Sequence, residues 1–380
     1  MIDIKNKQDC CGCSACAQRC PKQCITMAED EEGFLYPQVD TSKCVDCHLC
    51  EKVCPVINKY EARTPLNVYA AKNSDDEVRH QSSSGGIFTL LAEQTIKDGG
   101  VVFGACWDKD WNVKHDYAEC LDDLAKFRSS KYLQSVIGDT YIKAEQFLKA
   151  SRKVMFTGTP CQIAGLKHFL RKEYDNLLAV EVICHSVPCS GVWQQYLIEK
   201  LQTLGWNKSD IRHISFRSKA TGWKGYSFMI ENKDGNFFLE LGSKNAFMRG
   251  FLANLYTRPS CKKCPAKQLK SGSDITLGDF WGINSLMPEI DDDKGVSVVI
   301  VNTEKGRETI HIVDNLIQAS WSDICSKNPA VVKSATASAK KDLFFRNNGL
   351  SFEKRIQILC KRPFSLRQMI GRMLRKIRVI

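Results

Sequence analysis

Two stretches decide how this chain is read. They are Cys10-Cys-Gly-Cys13-Ser-Ala-Cys16-Ala-Gln-Arg-Cys20-Pro21 and Cys44-Val-Asp-Cys47-His-Leu-Cys50-Glu-Lys-Val-Cys54-Pro55. Both spell C-x-x-C-x-x-C-x-x-x-C-P. Thiolates are soft ligands, and a 4Fe-4S cube takes four of them. Three cysteines in step wrap one cube in a tight loop, and the fourth, just before proline, ligates the other cube. The spacing therefore assigns Cys10, Cys13, Cys16 and Cys54 to one cluster, and Cys44, Cys47, Cys50 and Cys20 to a second. Zinc knuckles pair two C-x-x-C units across a loop, a different pattern.

This is the spacing of a bacterial-type ferredoxin, and it places a small α+β ferredoxin-like domain at residues 1–57. Its connector, with the acidic run Glu29 to Glu32 and then Phe34-Leu-Tyr-Pro, predicts a hairpin with a solvated tip. The chain has 380 residues, enough for two or three domains. Nineteen cysteines would mean disulfides in a secreted protein. The start, Met1-Ile-Asp-Ile-Lys-Asn-Lys, has no basic region followed by an apolar run, and no stretch reaches eighteen apolar residues. A reduced cytoplasm with metal-bound thiolates is the expectation.

The formal net charge is +11, concentrated in part from Lys361 to Ile380, where seven Lys or Arg occur without an acid. Residues 329–380 read as a basic, partly helical tail. A solvated helical end is the plainer reading. The other is contact with a membrane surface or an acidic protein, since Met369, Ile370, Met373, Leu374 and Ile377 recur at helical spacing. Nucleic acid is not expected, because charge is its only support.

After a polar linker at residues 58–66, residues 67–328 alternate strands and helices. Val68-Tyr-Ala-Ala is a strand. Gln81-Ser-Ser-Ser-Gly-Gly opens a serine-capped helix ending at Gly99-Gly100, and Val101 starts a buried strand. Lys153 to Leu170 reads as strand, turn and helix, Leu177 to Cys184 as a strand, and Gly191 to Leu204 as a helix. Ile214 onward and Tyr226 to Leu241 are hairpin strands. A helix is expected at Ala246 to Leu255, a strand at Val296 to Val301, and a helix at Lys305 to Leu316. The pattern predicts an α/β domain with a mixed sheet and flanking helices, whose functional loops gather at the carboxyl ends of strands.

Cys261-Lys-Lys-Cys264 is half a metal site or a redox dithiol. Cys161 and Cys184 stand at strand ends and are candidate partners, or else small buried hydrophobes. Spacing leaves these alternatives open. Taken jointly, Ser83-Ser-Gly-Gly, Ser130-Lys-Tyr, Gly158-Thr-Pro-Cys-Gln, Ile183-Cys-His, Cys261-Lys-Lys-Cys264 and Gly278-Asp-Phe-Trp-Gly resemble the coenzyme F-420 hydrogenase/dehydrogenase beta-subunit family. The resemblance covers roughly Val68 to Leu316. It implies a third 4Fe-4S cluster on Cys161, Cys184, Cys261 and Cys264, with an FAD beside it. It implies flavin contacts from Ser84, Gly85, Gly86, Lys131, Tyr132, Thr159 and Gln162, and catalytic roles for His185, Asp279 and Trp281. Arg217 and Lys219 would bound the substrate pocket. The chain departs from the family at Ser186, more often glycine, and at Cys189, more often serine. Cys11, Cys24, Cys106, Cys120, Cys325 and Cys360 match no motif and read as structural.

The function the resemblance implies is a flavoprotein oxidoreductase. A small-molecule hydride donor or acceptor, reduced deazaflavin coenzyme or another, would meet FAD, and a one-electron carrier (ferredoxin or a redox subunit) would meet the clusters. A flavin-free electron-transfer subunit of a larger complex, or a ferredoxin-dependent reductase of an unrelated metabolite, is the alternative. Flavin absorbance on the purified chain separates the first alternative.

Overall fold

Ser297–Val301 is apolar beyond its first residue and buried at every position, the mark of a central strand covered on both faces. In the computed structural model, which describes residues 1–347 and 349–360, it lies within an eight-stranded mixed sheet. The strands in chain order are β1 (Ile25–Glu29), β2 (Leu35–Val39), β3 (Asn67–Ala71), β4 (Val101–Trp107), β5 (Val113–Ala118), β6 (Val154–Gly158), β7 (Leu177–Val182), β8 (Ile211–Ser218), β9 (Ser227–Asn232), β10 (Phe237–Leu241), β11 (Ile275–Asp279), β12 (Ser297–Val301) and β13 (Ile317–Gln318). The large sheet runs β13-β3-β12-β11-β7-β6-β4-β5. Its middle, β11-β7-β6-β4, is parallel, and the flanking pairs are antiparallel. The carboxyl ends of β6, β7 and β11 therefore open on one edge, where functional loops collect.

The helices that position the site are α1 (Ala15–Arg19), α2 (Leu49–Lys52), α3 (Asp76–Gln81), α4 (Ile87–Lys97), α5 (Thr140–Lys149), α6 (Pro160–Leu170), α7 (Ser190–Leu204) and α8 (Ala246–Leu252). One apolar layer joins Ala15 and Val53 of the ferredoxin-like unit to Tyr141, Phe156, Ile163 and Phe169. On a second layer α4 packs Ile87, Leu91 and Ala92 against Val102, Met155 and Val299. A third, aromatic core gathers Trp193, Tyr196, Phe216, Phe228 and Phe247 over the small sheet β10-β9-β8.

The structure corrects several expectations. The hairpin β1–β2 forms, and its tip is solvated on one side only, with Glu31 79% exposed. Phe34 is 1% exposed and packs in the aromatic core with Cys189 and Trp193, because a large apolar ring beside the acids gains more from burial than the tip gains from water. Glu32 of the same tip pairs with Lys341 at 2.6 Å. Packing does not end at residue 328. Phe344, Phe352, Ile356 and Leu359, on helices Lys341–Arg346 and Phe352–Leu359, fill the same core. The basic stretch after Lys361, with its expected membrane or acidic-protein contact, lies outside the described residues. The helix after the serine run starts at Ile87, not at the serines. Its N-cap is Gly86 at φ +82°, with no side-chain cap. The helix expected from Lys305 to Leu316 stops at Thr309 and tightens into a 3-10 turn. The one expected at Ala246 to Leu255 ends at Leu252.

Candidate redox site

Cys20, Cys44, Cys47 and Cys50 line one small void of about 20 Å³ beside Ile25 of β1. The crossed assignment puts Cys20 with the second run, whose cysteines share this void with it. Cys24 also lines this void, its Sγ 3.4 Å from that of Cys20. Among the described residues no three His, Cys, Asp or Glu side chains close around a single metal ion. These sulfurs ring a space, as a cube requires, and do not converge on a point. The first run forms the other ring. Burial, then Cys10, Cys54 and Cys50, push the thiol of Cys16 up to about 12. Burial first also raises Cys54, with Cys10 and Cys50 adding to it. A thiol must lose its proton to ligate, so crowded thiols held this high are relieved by iron.

The four scattered cysteines also come together. Cys161 sits in the first turn of α6, which Pro160 starts and Gln162 caps by accepting the Thr159 N–H at 2.9 Å. Cys184 follows β7, Cys261 lies within the 3-10 turn Pro259–Lys263, and Cys264 follows that turn. Burial raises Cys184 well above the ordinary thiol range, and Cys261, Cys161 and Cys264 push it further. Burial and then Cys161 push Cys261 up to about 12, and the same pair of causes pushes Cys264 up to about 11. These four thiols are mutual neighbours, as a third cube requires. Cys11, which the sequence leaves as structural, lies buried against both Cys13 and Cys161, and so joins this site to the first ferredoxin ring.

Beside the third ring a cleft of about 290 Å³ opens at the sheet edge. Thr159, Gln162, Cys184, His185 and Asp279 line it from the strand ends, and Ser84 and Gly86 from the start of α4. Lys131 and Tyr132 line a further wall. Gly85 does not face the cleft. Its N–H is held by Ser297 Oγ at 2.9 Å, and a Cβ there would meet Ala71 O at 2.5 Å, so its role is close packing of the loop on β3 and β12. Trp281 also lies behind the cleft wall, stacked on Trp223 at 5.3 Å. Asp279 accepts from Arg217 Nη1 at 2.8 Å and from Trp223 Nε1 at 3.1 Å. Arg217 Nη1 also donates to Tyr132 Oη at 3.2 Å. Lys219 does not bound the cleft. Its ammonium donates to the carbonyls of Arg79, Ser84 and Lys294 and pins the serine loop.

His185 donates from Nε2 to Asn254 Oδ1 at 3.0 Å, and burial lowers its pKa, so it is neutral at pH 7. Burial brings the Lys131 ammonium down to about 8, and it donates to the carbonyls of Arg128 at 2.9 Å and Ser129 at 3.3 Å. Two buried polar atoms on the cleft wall, Ser186 Oγ and Arg128 Nε, have no partner among the described residues. Buried polar groups are normally paired, so orphans on a cleft wall point to a polar ligand.

Sequence reasoning passed over His115. It donates from Nε2 to Thr157 O at 2.9 Å and accepts from Ser135 Oγ at Nδ1, also at 2.9 Å. Ser135 Oγ in turn accepts from Gln162 Nε2 at 2.8 Å. The line ends where the Thr159 hydroxyl stands 3.3 Å from Cys161 Sγ. Burial holds His115 near 4, neutral, as this donor order requires. A lone histidine in a strand carries no motif, so nothing in the sequence singles it out.

Residues 151–321 match the family model described as the C terminus of the beta subunit, coenzyme F420 hydrogenase/dehydrogenase. Residues 9–58 match a 4Fe-4S dicluster domain. The chain is 24% identical over 242 residues to an F(420)H(2) dehydrogenase subunit of Methanosarcina mazei, spanning 60% of this chain and 65% of that protein's length. It is 23% identical over 362 residues to an uncharacterized protein of Methanocaldococcus jannaschii, 84% of this chain and 86% of the relative. A chain of the F420-reducing [NiFe] hydrogenase complex from Methanosarcina barkeri superposes with a TM-score of 0.44 at 17% identity, over 78% of this chain and 91% of that one. Among the described residues no helix is long and apolar enough to cross a membrane.

Proposed function

Residues 151–321 place this chain in the coenzyme F420 hydrogenase/dehydrogenase beta-subunit family, with a 4Fe-4S dicluster domain in front, and from that premise we propose an oxidoreductase that couples hydride exchange at FAD to one-electron carriers. The observation that carries this reading is a shared wall. Cys184 belongs both to the third ring of thiols and to the cleft, and Thr159, on the cleft, touches Cys161.

FAD in the cleft would exchange a hydride with a small molecule and release electrons one at a time. The chain's own residues do the rest. The serine loop before α4 and the half-buried Lys131 fit an anionic pyrophosphate, since an ammonium near 8 holds its proton firmly beside an anion. Arg128 Nε and Ser186 Oγ, unpartnered among the described residues, would gain partners there. The neutral His185, fixed by Asn254, stands on the wall shared with Cys184. The three rings then follow one another. The third meets the first at Cys161, Cys11 and Cys13, the first meets the second within the ferredoxin unit, and Cys47 of the second is exposed. That order supports a one-electron carrier or redox subunit as the partner at the exposed end. The hydride-exchanging molecule is reduced coenzyme F420 or another small molecule.

The full chain, purified and reconstituted without oxygen, tests this by iron, sulfide and flavin quantitation. About twelve irons and one flavin are expected, at four irons per cube. Cys264→Ser lowers iron by about four and leaves the flavin bound. An unchanged iron count in that variant would overturn the third site. A flavin-free preparation would overturn the flavin reading and leave the electron-transfer subunit.

A further inference from the structure

Arg258 is 1% exposed, and among the described residues no carboxylate lies within 4.0 Å of its guanidinium. Nε donates to Cys10 O at 2.9 Å, Nη1 to Gln134 Oε1 at 2.9 Å, and Nη2 to Leu35 O at 2.8 Å. Nη2 also stands 3.7 Å from Cys10 Sγ, a ligand of the first ring. The rings of Tyr36 and Phe34 cover the cation at 4.4 Å and 5.4 Å. Its own backbone belongs to the other half of the molecule. Arg258 N donates to Val187 O, three residues past Cys184, and Arg258 O accepts from Cys261 N at 3.0 Å. Gly12 makes room for it. That residue has φ +69°, and a Cβ there would lie 2.7 Å from Nη1.

Every one of these hydrogen-bond partners is neutral. An arginine cannot shed its charge in a protein, and a buried charge without an opposite charge is strongly unfavourable. The anionic groups within reach are the cysteine-ligated clusters on its two sides. We infer that Arg258 is a positioning residue that supplies the counter-charge to the first ferredoxin cluster, raising its potential, and fastens that cluster to the third site. The inference rests on the cluster reading above. Reduction adds one negative charge to a cube, so a cation and an N–H donor beside its sulfur favour the reduced form.

The test uses the full chain, reconstituted anaerobically and titrated with mediators while each cluster's EPR signal is followed. Cys16→Ser, Cys47→Ser and Cys264→Ser identify the first, second and third signals. Fewer than twelve irons in the unmutated chain would count against the cluster reading itself, before Arg258 is touched. With three clusters present, Arg258→Gln is expected to cut the reduced-to-oxidised ratio of the first signal about tenfold at fixed potential, a fall of about 59 mV for one electron. The second signal should stay in place. A first signal unmoved by Arg258→Gln, or shifted upward, would overturn the inference. Should that variant fail to hold its clusters, Arg258→Lys decides. Its ammonium keeps the charge but loses the fork toward Cys10, so a smaller fall of the same signal with the second unmoved is expected, and no fall would overturn the inference.

Discussion

The two rings of the ferredoxin-like unit share one spacing and have opposite surroundings. The first ring is pressed into the molecule. Cys10, Cys11 and Cys13 are buried, α1 lies on α6, and a Cβ on Gly165 of α6 would come within 2.8 Å of Cys13 Cβ. Gln134 and Arg258 hold its backbone at Cys11 and Cys10. The second ring faces outward, with Cys47 exposed and Val45 58% exposed. The thiols differ in the same sense. Burial sets Cys16 at about 12, whereas at Cys20 burial is outweighed by hydrogen bonds from Cys24, Lys22 and Gln23, and its pKa falls. Identical motifs thus become an interior ring and a surface ring because only one of them is covered by helices of the large α/β sheet domain.

The largest expected effect comes from undoing that cover. Phe34→Ala removes the ring that seats the hairpin tip beside Cys189 and Trp193, and a buried Phe→Ala change costs about 3–5 kcal/mol. Denaturant unfolding should show a loss of that order, while Val45→Ala, at the exposed ring, should change little. Equal losses would mean that the two ends are held alike. Gly165→Ala comes next. The added methyl meets Cys13 Cβ at 2.8 Å and Sγ at 3.0 Å, so the ligand or the helix must move, at about 1–3 kcal/mol. Iron analysis should show the first cluster lost or depleted and the second retained. The reverse order would break the comparison.

The smallest effect is in pH. A thiol raised by the fold stays protonated at neutral pH and must give up its proton to iron. Reconstitution at pH 7 should therefore fill the second ring ahead of the first, with the gap narrowing as pH rises. The sign for the metal-free chain follows from the same shift. A folded pKa above the unfolded value of about 9 contributes stability below pH 9, and that stability is lost as pH rises toward 12. Thermal melts of the metal-free chain between pH 7 and 10 check this, with a Cys16→Ser variant showing less of the decline.

The ferredoxin spacing and the alternation of strands and helices were legible as pattern, because each depends on residues close along the chain. The start of α4 was misplaced, because a run of serines signals a cap while the loop is set by Gly86, by Gly85 packed on β3 and β12, and by Lys219 from another strand end. The edge of the domain was misplaced for a related reason. Residues 329–359 look polar and basic, yet four of their apolar side chains complete a core whose other members all lie at or before Tyr256.

What the linear order determined by itself was chemistry at short range: which thiols share a loop, and how many cubes the first 57 residues can hold. What only the tertiary structure decided was adjacency. It set Cys161 against Cys11, Cys184 on the cleft wall, and Arg258 between two rings it does not ligate. Spacing along a chain constrains ligands a few residues apart, whereas contacts across separate layers are chosen by how apolar surfaces bury one another.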